Sequence, residues 1–141
     1  MCKILAILLL LTAPLGAFAR PLSVCQIAAA PSQYAGKVIT LAATYRTDLR
    51  HFSGLTDRRC PAVVIAPYDV EGRKHPSVIR FDQAVAGELE DHSARIFSVV
   101  VVGTFEQDPP AKFGRFTILR VQRFARSPPR LRPNNSFKPK R

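Results

Sequence analysis

The segment IFSVVVVGTFEQD, Ile96 to Asp108, limits the fold more than any other part of the chain. Side chains of an extended backbone point alternately to its two sides. Phe97, Val99, Val101, Gly103 and Phe105 therefore share one face, and Ile96, Ser98, Val100, Val102 and Thr104 the other. β-branched and aromatic residues dominate both faces, which makes this the strongest strand in the sequence. KVITLAATYRTD has the same period, with Ile39, Leu41, Ala43 and Tyr45 set against Thr40, Ala42, Thr44 and Arg46. RHFSGLTD reads as a shorter strand carrying Phe52 and Leu55, with Asp57, Arg58 and Arg59 as the turn after it. CPAVVIAPY is a strand with an apolar middle, confined by Pro61 and Pro67. RFTILRVQRF is the last strand. Regular alternation there puts Leu119 and Val121 on one face and Phe116, Ile118, Arg120, Gln122 and Phe124 on the other.

Two segments change period. Val24, Ile27 and Ala28 give a short helix an apolar side, with Ser23 as its cap and Pro31 as its end. Between the third and fourth strands, Val78 to Phe81 reads as an extended piece. Asp82 then caps a helix in which Ala84, Val85, Ala86 and Leu89 are apolar and Glu88, Glu90 and Asp91 face water. Gly87 weakens that helix by about 1 kcal/mol relative to alanine.

The expected class is mainly β: a five-stranded Greek-key barrel with a short N-terminal helix and a helix between strands three and four. In that order the chain resembles OB-fold domains. GKVITLAATYR followed by HFSGLTDRRCPAVVIA is similar to the opening strand of that fold and its glycine-containing turn, and VVVVGTFE followed by GRFTILRVQRF to its closing hairpin. The resemblance runs from Gly36 to Phe124 and extends to small exported bacterial proteins whose roles are mostly unassigned. It implies the barrel and not a function, since OB-folds carry many roles, oligosaccharide and single-stranded nucleic-acid binding among them.

The N-terminus has the order of a secretory leader: Lys3, an apolar run from Ile4 to Leu11, then small residues ending Ala17-Phe18-Ala19. Cleavage is expected between Ala19 and Arg20, and the run is too short for a stable membrane-spanning helix. The expected organisation is a leader at 1–19, one β domain at 20–125 and a tail at 126–141, in a protein exported to the periplasm or secreted. LSVC, Leu22 to Cys25, is loosely like a lipoprotein processing site, which would lipidate Cys25. Val24 is large for such a site, and Arg20 and Pro21 part it from the apolar run.

Charge is unevenly spread. Of 21 basic residues only Lys3 leaves with the leader, and all 10 acids stay, so 20 against 10 gives the processed chain +10. The tail, Arg126 to Arg141, holds six basic residues, four prolines and no acid. It reads as a disordered segment, either an electrostatic tether for anionic envelope components or a solvated, proteolytically exposed terminus, with Asn134-Asn135-Ser136 a weak match to a glycosylation acceptor.

Export also decides how the cysteines are read. Cys2 goes with the leader, and in an oxidising compartment the two survivors, Cys25 and Cys60, are expected to pair. Such a loop is worth roughly 3–4 kcal/mol in the chain-entropy model. The competing reading of HFSGLTDRRCP, a thiol or zinc site from His51, Asp57 and Cys60, lacks the spacing either needs. His51, His75 and His92 lie in three different elements, and Asp57 and Asp69 in turns. No phosphate loop or nucleophile elbow is present. Catalytic residues, metal ligands and cofactors are therefore not expected, although an envelope-acting enzyme without a recognisable motif remains the rival class. The candidate contact face is Phe116, Arg120 and Phe124 on the last strand, extended by Arg46, Arg50, Arg58 and Arg59 around the turns; the competing and favoured reading has Phe116, Ile118 and Phe124 in the core or over the N-terminal helix, with the arginines solvated. Aromatic rings beside cations suit single-stranded nucleic acid. Export argues against that as the natural partner and favours an oligosaccharide or peptide.

Overall fold

A computed structural model describes residues 20–70, 72, 74–87, 94–108 and 113–128. The leader, Glu88, Leu89, Glu90, Asp91, His92 and the tail beyond Pro128 lie outside the described residues. Among the described residues the chain is mainly β, with a six-stranded mixed sheet and three helices. Its strands are β1 (Leu22–Ser23), β2 (Val38–Thr47), β3 (Ser53–Thr56), β4 (Val64–Asp69), β5 (Arg95–Glu106) and β6 (Arg115–Arg126). The helices are α1 (Val24–Ala29), α2 (Pro31–Tyr34) and α3 (Pro76–Ala86).

Five strands close a ring. β2 pairs antiparallel with β3 and with β5, β3 antiparallel with β4, β4 parallel with β6, and β6 antiparallel with β5. The sixth strand is the difference from the sequence reading. Leu22 and Ser23 run parallel beside Leu41 and Ala42 before the chain turns into α1. Ser23 then caps α1 in a reciprocal box: its hydroxyl accepts from the Gln26 amide at 3.2 Å, and the Gln26 side chain accepts from the Ser23 amide at 2.9 Å. Pro31 starts α2 rather than only ending α1, since a proline lacks the N–H that a first helical position leaves unused.

α3 begins earlier than expected. Val78 to Phe81 is helical, and His75 takes the capping place assigned to Asp82, its Nδ1 accepting from the Ser77 amide at 3.1 Å. Pro76 at the first position fixes a helical φ, and Val78, Phe81 and Val85 then fall on one buried stripe. Gly87 ends this helix with φ 47°, where a Cβ would meet the Arg95 guanidinium. Arg95, itself buried, donates to the carbonyl of Val85 in the last helical turn, placing a cation at the negative end of the helix.

The core lies inside the ring. Leu41, Leu55, Ile65, Phe97, Val101, Phe105 and Phe116 are all buried to 1% exposure or less. α3 covers one opening, where Phe81 stacks edge-on against Tyr45, Phe97 and Phe124 at centroid distances of 5.1, 5.6 and 5.3 Å. α1 contributes Val24 and Ile27.

The alternation expected for β2 and β5 holds, but that of β6 does not. Irregularities opposite Val100/Val101 and Val102/Gly103 leave Leu119 and Gln122 without partners, and each extra residue reverses the facing of the residues after it. Phe116, Ile118, Val121 and Phe124 all turn to the core, while Arg120 and Arg123 turn outward, opposite Val102 and Val100. Gly103 permits the second irregularity, because a Cβ there would strike the Thr117 carbonyl oxygen and the Phe116 ring.

Candidate anion-binding cleft

The bulges place Arg123 on the outside of the sheet, in a cross-strand row with Val100 and Ala42. Next to that row stand Thr44 on β2 and, opposite it, Thr56 at the end of β3. Ala42, Ala43 and Thr44 are small, so the middle of β2 is left low while the chain on either side rises above it. One wall is the N-terminal segment, Arg20 and Pro21 with Ser23 and Gln26. The other is the turn Asp57-Arg58-Arg59. The cleft between them is open to solvent and measures about 760 Å³.

The two walls are tied together. Cys25 follows Val24 at the start of α1 and Cys60 follows Arg59, and these two cysteines form a disulfide with Cα atoms 5.7 Å apart. Asp57 shapes the second wall from within. Its carboxylate accepts from the Arg59 backbone at 3.0 Å and from that guanidinium at 3.1 and 2.7 Å. The Arg59 guanidinium holds the Asp57 carboxyl below the usual carboxylate range.

Four guanidinium groups therefore border the cleft against one carboxylate, and that carboxylate is committed to Arg59. Among the described residues no ion pair engages Arg20, Arg58 or Arg123. A concave site lined by one sign of charge focuses potential and concentrates counter-ions. Guanidinium groups present planar forks of donors that match the paired oxygens of carboxylate, phosphate or sulfate. Asp57 is the only acid among the described residues of the lining, and it stays ionised near neutral pH.

Of the residues singled out from sequence, Arg58 and Arg59 reach this cleft, and so does Arg20, singled out there only as the residue after the cleavage point. The candidate aromatic and basic face on β6 is not assembled, and its rings take the competing core placement instead. Phe116 is fully buried, Phe124 is half-buried against Phe81 and Phe97, and Arg120 points away from both. Arg46 is exposed on β2, and Arg50 lies in the β2–β3 turn beside His51 and Phe52, away from the cleft. His51, Asp57 and Cys60 are not brought together: His51 is exposed near Asp48, Asp57 binds Arg59, and Cys60 is bonded to Cys25. Asp69 pairs with Lys74, which also holds Asp82. No group of three or more His, Cys, Asp or Glu side chains placed to hold a metal occurs among the described residues, and no described helix is long and apolar enough to cross a membrane. Sequence reasoning missed Arg123, because strict alternation places it on the face of Leu119 and Val121.

Comparison of the chain with protein-family models, curated proteins and solved structures finds no significant match.

Proposed function

We propose that this protein is an exported, non-catalytic binding module of the OB type that takes an anionic glycan of the cell envelope in the arginine-lined cleft. The OB-type reading is supported by the ring order, the parallel β4–β6 pair and the position of α3 between the third and fourth ring strands. Export is supported by the leader-like N-terminus and the Cys25–Cys60 pair. The observation that carries the binding reading is the convergence of Arg20, Arg58 and Arg123, none of them in an ion pair among the described residues, on one concave space. The other lining side chains are aliphatic or small and polar. That suits sugar hydroxyls and charged substituents better than bases, whose binding relies on aromatic stacking. A proton-transfer role fits poorly, since a general base works best with a pKa near the operating pH and Asp57 lies far below it.

The test is calorimetric titration of the disulfide-intact chain 20–141 with a sulfated hexasaccharide. Arg58→Ala and Arg123→Ala are each expected to weaken binding about tenfold, the scale of one charge-assisted hydrogen bond. Unchanged affinity in both variants overturns the reading. Tighter binding of a single-stranded hexanucleotide to the same arginines replaces the glycan with nucleic acid.

A further inference from the structure

We infer that removal of the leader completes the anion site, because the α-amino group released at Arg20 adds a cation to the cleft. This inference rests on the anion-binding reading and on cleavage after Ala19. Arg20 is exposed and lines the cleft, and Leu22, two residues on, is held in register with Leu41, which anchors the segment that Arg20 begins.

Hydrolysis by a signal peptidase breaks the Ala19–Arg20 peptide bond. The oxygen of water goes to the Ala19 carbonyl, giving a carboxylate that leaves with the leader, and the Arg20 nitrogen becomes an amine that takes up a proton. A neutral amide with one N–H is replaced by an ammonium with three donors. Affinity for a multiply charged anion is thereby linked to processing, so the unprocessed precursor binds weakly.

The polar and charged residues that line the cleft with Arg20 include Ser23 from β1, Gln26 from α1, Asp57, Arg58 and Arg59 from the turn after β3, and Arg123 from β6. Arginines stay charged throughout the accessible range, and Asp57 is already ionised. Beside the described residues of the lining, the α-amino group, with an ordinary pKa of about 7.7–8.0, is thus the group that titrates near neutrality. Binding to a ligand whose own charge is fixed should weaken as pH rises through that range.

The experiment compares the disulfide-intact chain beginning at Arg20 with the same chain acetylated on its α-amino group, each titrated with a sulfated hexasaccharide at about pH 6.5 and about pH 9. Sulfate esters do not titrate over this interval. Acetylation is expected to weaken binding roughly two- to fivefold at the lower pH, the scale of one exposed charge pair, and to make no difference at the higher. Equal affinities at the lower pH overturn the inference. Arg123→Ala in both forms separates the two ideas. If it weakens binding while acetylation does not, the cleft stands and its completion by processing falls; if neither weakens binding, both fall.

Discussion

At Asp48, one carboxylate organises the β2–β3 turn. Its Oδ1 accepts from the backbone amides of Arg50, His51 and Phe52 at 3.0, 2.8 and 2.8 Å. The following Leu49 adopts φ 64°, a left-handed conformation that a branched residue rarely takes, and the Thr47 hydroxyl accepts from the Leu49 amide at 2.9 Å. These amide bonds favour the ionised form, led by that of His51, and pull the Asp48 carboxyl down to about 2. A carboxylate whose folded pKa is depressed stabilises the fold fully above its ordinary value. For Asp48 that contribution is present above 3.8 and lost as pH falls toward about 2. Side-chain carbon shifts followed against pH should place the Asp48 midpoint near 2, and a midpoint at the ordinary value would show that the three amide bonds do not form. The same turn explains why Arg50 does not join the other arginines: it belongs to a different end of β2 from the cleft.

Among the elements, β6 and α1 decide whether a cleft exists. The disulfide joins α1 to the turn after β3, so it clamps one wall to the other as well as closing a long loop. Replacing both cysteines, Cys25→Ser with Cys60→Ser, is expected to cost roughly 3–4 kcal/mol in denaturant unfolding and to weaken glycan binding in the same sample. Loss of stability with undiminished affinity would mean that the walls hold without the clamp. The cysteine pair was legible because the leader-like N-terminus carries Cys2, which leaves Cys25 and Cys60 as the thiols expected to pair. The strands β2 and β5 were legible because their alternation is regular and their pairing is antiparallel throughout. β6 was not: its alternation mixes Arg120 and Gln122 with Phe116 and Phe124 on one face and leaves Arg123 with Leu119 and Val121 on the other. A strand that is clean on neither face calls for a bulge, and two of them sort these residues into core and surface. α3 was misplaced because Val78-Ile79 has the apolar, β-branched look of a strand. The signal that locates it is the His75-Pro76 pair, a side-chain cap followed by proline at the first helical position.

The whole molecule separates two kinds of positive charge. The tail carries six basic residues in a segment without hydrophobic periodicity, whereas the cleft sets arginines from the N-terminal segment, the β3–β4 turn and β6 around one space. No local motif announces that assembly, because it arises only when the ring closes and brings β6 beside β5 and β5 beside β2. Tail charges act over a Debye length, about 8 Å at physiological ionic strength, and fade with salt. Guanidinium groups held at a concave wall combine charge with directed hydrogen bonds and are less easily screened. The most direct measurement is backbone amide shift mapping of the disulfide-intact chain 20–141 during titration with a sulfated hexasaccharide at physiological salt. The account predicts saturable shifts at Thr44, Thr56, Arg58 and Arg123, around the cleft. Shifts confined to 126–141 would contradict it and make this protein a β scaffold carrying a non-specific polycation.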